Sequence, residues 1–216
     1  MTRQVGGGLT KAKGPRRGPS QTAVALNVPP SVRLQTSSEG FLRLCRANPD
    51  LLLERSARGV IEIMSPTSGA TGSRNALLTA RLVSWAIADG TGKAFDSSTG
   101  FSLPNGAARA PDASWVSLAR WNDLTAEQKE EGFVPLCPDF VAELRSRSNR
   151  LPGLRKKLGE YLDQGARLGW LIDPETLEVE VYRPGRPVEV LKRPATLSGE
   201  DVLPGFVLDL KGILFD

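Results

Sequence analysis

Asp112, Glu143 and Lys157 are the residues of this chain whose types and spacing could do chemistry. Asp112 stands in Arg109-Ala110-Pro111-Asp112-Ala113-Ser114, and Glu143 thirty-one positions later in Pro138-Asp139-Phe140-Val141-Ala142-Glu143-Leu144-Arg145. Lys157 closes Arg155-Lys156-Lys157. Each acid lies in or beside a short apolar run that reads as a strand, where a charge costs free energy unless something pairs with it. The natural partner of two such carboxylates is a divalent cation, Mg2+ or Mn2+. Phosphodiesters resist hydrolysis because their negative charge repels an incoming hydroxide. A cation held by carboxylates neutralises that charge and lowers the pKa of bound water. A neighbouring ammonium can stabilise the developing charge or help orient and deprotonate the water. Glu54, an acid ending Leu51-Leu52-Leu53, is a third contributor to such a site.

Each of these residues also has a plainer reading. Pro-Asp is common in turns, so Asp112 could serve a turn or a cap. Glu54 could be a strand-end surface acid and Lys157 a solvated helix lysine. Glu143 is the hardest to explain structurally, because it interrupts an apolar strand.

Composition removes other chemistries. The chain has no histidine, which excludes Ser-His-Asp and Cys-His catalysis and histidine-ligated zinc. Cys45 and Cys137 are isolated, so neither a zinc knuckle nor a disulfide framework is indicated. No apolar run approaches the roughly 20 residues that span a bilayer, and the N-terminus lacks the apolar core of a signal peptide. A soluble, cytoplasmic protein is expected. The net charge of +4 is misleading as a whole-chain figure. Residues 1–20 hold Arg3, Lys11, Lys13, Arg16 and Arg17 and no acid, so the rest of the chain nets −1.

The elements that must position these groups follow from periodicity. Residues 1–30, rich in glycine, proline and basic residues, are expected to be a disordered basic tail, either touching nucleic acid or simply solvated. A folded domain is expected over 31–216. A short helix capped by Ser37 or Ser38 is expected near Phe41–Asn48, then a hairpin of Leu51–Glu54 with Val60–Met64. A helix over Ser73–Asp89 carries Leu77, Leu78, Leu82, Trp85 and Ala86 on one face. Three strand candidates follow: Lys93–Asp96 together with Phe101–Leu103, then Ala113–Leu118, then Phe140–Leu144. A helix over Gly153–Gln164 precedes a buried strand at Leu168–Ile172, and Leu177–Arg183 with Val188–Lys192 form a closing hairpin. On the second helix Leu151, Leu154, Leu158, Tyr161 and Leu162 make one apolar stripe. At about 100° per residue, Lys157 flanks that stripe while Lys156 points to solvent. The fold class expected is α/β, a mixed sheet flanked by helices.

Four blocks together resemble the Uma2 family. They are Leu51–Glu54 with Ile61-Glu62-Ile63-Met64-Ser65-Pro66-Thr67, Arg109–Asp112, Pro138–Ser146, and Gly165-Ala166-Arg167-Leu168-Gly169-Trp170-Leu171-Ile172-Asp173-Pro174. Uma2 proteins are bacterial, abundant in cyanobacteria, and assigned to the PD-(D/E)xK superfamily. The resemblance spans residues 38–210. It implies a restriction-endonuclease-like core and a Mg2+-dependent endonuclease acting on DNA. Glu54, Asp112 and Glu143 would be the acidic, metal-holding site and Lys157 its lysine. Duplex cutters of that superfamily often work as dimers, so a homodimer is an open expectation. The superfamily signature expects lysine two positions after Glu143, where this chain has Arg145. Arginine cannot act as a base and binds differently, so the role passes to Lys157. The loop Arg147-Ser148-Asn149 also departs from relatives, which commonly show a proline and an acid there. The competing reading is a catalytically inactive module that keeps the fold and binds DNA or a partner protein.

Overall fold

In the computed structural model, which describes residues 32–215, the first helix starts where a serine hydroxyl replaces a missing backbone partner. Ser37 Oγ accepts from the N–H of Gly40 and opens α1 (Ser38–Ala47). Strands β1 (Leu53–Arg55) and β2 (Ile61–Ile63) then form the expected hairpin, pairing Leu53 with Ile63. Helix α2 (Gly69–Asp89) starts four residues before the position the sequence suggests. Two glycines in its first turn weaken the helical signal by about 1 kcal/mol each. The Ser68 side chain, accepting from the Thr71 N–H, outweighs them. The helix ends at Gly90, whose φ of 74° is a left-handed conformation suited to glycine.

Strand β3 (Gly92–Asp96) and β4 (Phe101–Ser102), expected to act together, separate into different sheets. Then come β5 (Ala108–Arg109), β6 (Ala113–Ser117), and the short helices α3 (Leu118–Asn122) and α4 (Ala126–Glu130). Strand β7 (Phe140–Leu144), helix α5 (Leu151–Asp163) and strand β8 (Leu168–Asp173) form a strand–helix–strand crossover. Pro152 opens α5 two residues early, where its missing N–H has no helical partner to lose. The chain closes with β9 (Glu178–Tyr182), β10 (Glu189–Lys192), β11 (Thr196–Ser198) and β12 (Val207–Asp209).

The described strands form a six-stranded sheet in the order β10-β9-β8-β7-β6-β3, a four-stranded sheet β2-β1-β5-β4 and the β11-β12 pair. Within the large sheet β7 and β8 are parallel and the other neighbours antiparallel. It is therefore mixed, as expected. Alternation along its central strands decides which helix each side chain meets. Phe140, Ala142 and Leu144 of β7, with Trp170 and Ile172 of β8, join Leu78, Leu82 and Ala86 of α2. The intervening Val141 and Leu171 join Leu154, Leu158 and Tyr161 of α5 on the other face. Glu143 shares the α5 face with Val141.

The glycine of β8 is what lets α5 come close. A Cβ on Gly169 would lie 2.8 Å from Leu158 Cδ1 and 3.3 Å from Leu162 Cδ2. From Leu34 onward the chain is one compact unit. The expected basic tail, residues 1–30, lies outside the described residues. Among the described residues no helix is long and apolar enough to cross a membrane.

Candidate active site

The small sheet delivers Glu54. Pairing of Arg55 with Ala108 sets Glu54 beside Arg109 and Ala110, with its carboxylate buried. Its Oε1 accepts from the Ala110 N–H at 3.0 Å, and its Oε2 lies 3.0 Å from Arg109 Nη1. Arg109 is itself buried and also reaches Glu62 at 3.1 Å and Glu160 at 2.7 Å. Burial works against its charge, but the three surrounding carboxylates outweigh it and hold the guanidinium pKa above its ordinary value. Arg109 thus spends its charge on ion pairs with Glu54, Glu62 and Glu160.

Ala110 and Pro111 carry the chain from the small sheet into the large one, and Asp112 comes just ahead of β6. Pairing of Ala113 with Ala142 brings Asp112 level with Glu143 and Leu144. Asp112 is fixed on both oxygens. Oδ2 accepts from the Leu144 N–H at 2.7 Å and Oδ1 from Asn75 Nδ2 at 2.9 Å. Glu143, 3% exposed, points at α5. Tyr161 Oη donates to its Oε1 at 3.3 Å, and Lys157 Nζ lies 2.8 Å from the same oxygen. Lys157 Nζ is also 2.8 Å from Glu54 Oε1 and 3.2 Å from the Ala110 carbonyl. All three ammonium protons thus have an acceptor.

The charges in this pocket are unequal. Burial pushes the Glu143 carboxyl up to about 8, with Asp112 and Glu54 adding to the rise and Lys157 opposing it. Burial also acts on Glu54, but there Lys157 and Arg109 together prevail and hold it below the ordinary carboxylate range. For Lys157 burial favours the neutral amine, and Glu143 and Glu54 overcome it, so the ammonium is held above its usual value. Burial, with Glu143 next, pushes Tyr161 well above an ordinary phenol, so it remains a hydroxyl donor.

Among the described residues no three acids, cysteines or histidines form a ready cation cage. Glu54, expected as a third ligand, has its charge shared between two cationic side chains, Lys157 and Arg109, whereas Asp112 accepts only from neutral N–H groups. Asp112 and Glu143 remain as adjacent oxygen donors, one raised in pKa partly by the other's charge. All-oxygen donors suit a hard cation such as Mg2+ or Mn2+, and its charge would relieve that repulsion. The donor set fits the ion.

The sequence candidates Glu54, Asp112, Glu143 and Lys157 therefore meet in one place, linked by the contacts above. Lys156 is exposed, and Arg145 is drawn off to Asp173 at 2.7 Å. Asp139 accepts from the Ser117 N–H and pairs with Arg120. Tyr161, part of the apolar stripe, is buried as core and also donates to Glu143. Two further contacts, Asn75 on Asp112 and Glu160 on Arg109, are not singled out by the sequence. Asn75 left a signal, because it lies on the same helical stripe as Thr71, Leu78, Leu82 and Ala86, a polar residue on a buried face.

A mixed six-stranded sheet with helices on both faces makes this an α/β fold. The Uma2 family model, described as "Putative restriction endonuclease", matches residues 38–211. The chain belongs to the Uma2 family. It is similar in fold to a crystal structure described as "a putative nuclease belonging to DUF820" from Anabaena variabilis ATCC 29413. The TM-score is 0.70 at 21% identity, covering 83% of this chain and 97% of that one. The search of functionally curated proteins returns no match.

Proposed function

We propose that this protein is a divalent-cation-dependent endonuclease that hydrolyses phosphodiester bonds of DNA. The observation that carries the reading is the Lys157 ammonium, 2.8 Å from both Glu54 and Glu143, beside an Asp112 whose carboxylate is fixed by two hydrogen bonds. Family membership and the nuclease-like fold support the same reaction class. Asp112 and Glu143 would hold Mg2+ or Mn2+, which when bound supplies neutralisation of phosphate charge and a lowered pKa for the attacking water.

The chain's own groups do the rest. Asp112 keeps one orientation because Asn75 and the Leu144 N–H grip separate oxygens. Glu54 anchors Lys157 rather than the cation, since its charge is already shared by Lys157 and Arg109. Lys157, held protonated by two carboxylates, acts as a fixed positive charge that stabilises the negative charge developing on the phosphate. It does not serve as a general base, because a group whose pKa is held this high does not release its proton near neutrality. Tyr161 donates to Glu143 and sets its rotamer.

The test is nicking of supercoiled plasmid by the full chain in Mg2+ or Mn2+, against Asp112→Asn and Lys157→Ala. Both substitutions should lower the rate at least about 100-fold, the scale of a lost electrostatic stabiliser. No cation-dependent nicking by the native chain, or undiminished nicking by Asp112→Asn, would refute the proposal.

A further inference from the structure

The geometry points to Asn75, on helix α2, as a positioning residue of the site that sets the cation affinity of Asp112. This inference rests on the cation-dependent reading above and adds a residue to it. A carboxylate only accepts, so the contact between Asn75 and Asp112 Oδ1 at 2.9 Å must use the amide N–H. That fixes the direction of the amide. Asn75 Oδ1 is then buried and has no hydrogen-bond partner among the described residues.

Covalent geometry keeps that open oxygen close to the acid. Amide C–N and C=O bonds of about 1.3 and 1.2 Å hold it within about 5.5 Å of Asp112 Oδ1. An acceptor there is within reach of a water or hydroxyl donor held beside Asp112. The stripe on which Asn75 sits is otherwise Thr71, Leu78, Leu82 and Ala86, and a leucine would bury apolar area there without stranding a carbonyl. A half-satisfied amide on a buried helix face is a cost to folding, and sites of function are where such costs recur. Leu144 N–H holds Asp112 Oδ2 from the sheet and Asn75 holds Oδ1 from the helix. Removing the helix contact frees the carboxylate to turn about its remaining hydrogen bond.

The experiment is Mn2+ titration calorimetry on the full native chain, Asp112→Asn, Asn75→Ala and Asn75→Leu, with a melting curve for each. Loss of an outer contact to a metal-holding group typically weakens binding about 10–100-fold. Both Asn75 variants should fall in that range with cooperative melting retained, and raising Mn2+ should restore much of their cleavage rate. Asn75→Leu fits the apolar stripe, so it guards against collapse of the Ala variant. Native-like affinity in a folded Asn75 variant overturns the inference while leaving the nuclease reading intact. Failure of both variants to fold also overturns it, making Asn75 a residue of the fold. No Mn2+ binding by the native chain, or binding undiminished in Asp112→Asn, overturns both.

Discussion

Replacing Lys157 with methionine keeps most of the apolar stem and removes the charge between two buried carboxylates. Glu54 and Glu143 have side chains only 3% and 5% exposed, and Lys157 itself 11%. Deleting one partner of a buried ion pair costs about 3–5 kcal/mol, because the remaining charge is stranded. Two features of this site place the cost at the low end. Glu54 keeps Arg109 and the Ala110 N–H. Glu143, already raised to about 8, escapes by holding its proton. A loss of about 3 kcal/mol lowers the melting temperature by about 6–12 °C in a domain of this size.

The assay is thermal unfolding by circular dichroism in chelator, from pH 6 to pH 9, for the native chain, Lys157→Met and Lys156→Met. The gap between native and Lys157→Met should widen as pH rises through about 8, where Glu143 must ionise without its ammonium. Exposed Lys156 should cost no more than about 0.5 kcal/mol. Adding Glu143→Gln to Lys157→Met should recover part of the loss. A Lys157→Met protein that melts within 2 °C (about 0.5–1 kcal/mol) of native at every pH, or no lower than Lys156→Met, would refute the bridging role of the ammonium.

Glu143's raised pKa means its contribution to the cation-free protein is complete below about 4.5 and lost as pH rises through about 8. Melting in chelator should therefore decline across that window, and Glu143→Gln should flatten the decline; parallel profiles would contradict the assignment. Glu54, held low, acts with the opposite sign, its contribution disappearing as pH falls below the ordinary carboxylate range. Arg145→Ala should lower stability by about 1–3 kcal/mol by leaving Asp173 short of a partner, yet change the cleavage rate by less than about tenfold, the loss of some 1.4 kcal/mol; a loss as large as that of Lys157→Ala would show the arginine to be the acting cation. Gly169→Ala forces a methyl against Leu158 and Leu162, and overpacking of about 1–3 kcal/mol should come with reduced cleavage by the refolded protein, since α5 carries Lys157. Deleting residues 1–20, which hold five positive charges and no acid, should flatten the salt dependence of log K for duplex DNA by up to about 4.5; identical slopes would make that segment a bystander.

What could be read in advance follows how local the signal is. Strands β7 and β8 are buried along their whole lengths, so their apolar runs announce them, and Glu143 stands out as a charge in the middle of one. Strands β4 and β5 have two residues each, too few to carry a period of two, and only their pairing with each other and with β1 defines them. That pairing is what sets Glu54 against Arg109 and Ala110. The acid itself is visible in the sequence, but its neighbours are a property of the small sheet. The signal at Asn75 is weak for a related reason. Two glycines mask the first turn of α2, so a helix taken to start at Ser73 leaves Asn75 at its end rather than on the buried stripe.

The position of the lysine has a physical explanation in the same geometry. Side chains two apart on a strand share a face, so Arg145 emerges on the same side as Glu143. It lies just past the end of β7, where its N–H bonds the Ile172 carbonyl at 2.9 Å and its guanidinium reaches Asp173 at the end of β8. Residue 145 is thereby committed to tying together the ends of two parallel strands. A cation for Glu143 must then come from the layer above, and α5 is that layer. Leu154 and Leu158 seat the helix on the sheet, and Gly169 leaves out a side chain that would press on Leu158 and Leu162. At that height a lysine between the two leucines spans the gap to Glu143 and, across the join between sheets, to Glu54. A helix lysine thus contacts both carboxylates at once, which ties the small sheet's acid to the large sheet's in a way the ion pair between Arg145 and Asp173 does not.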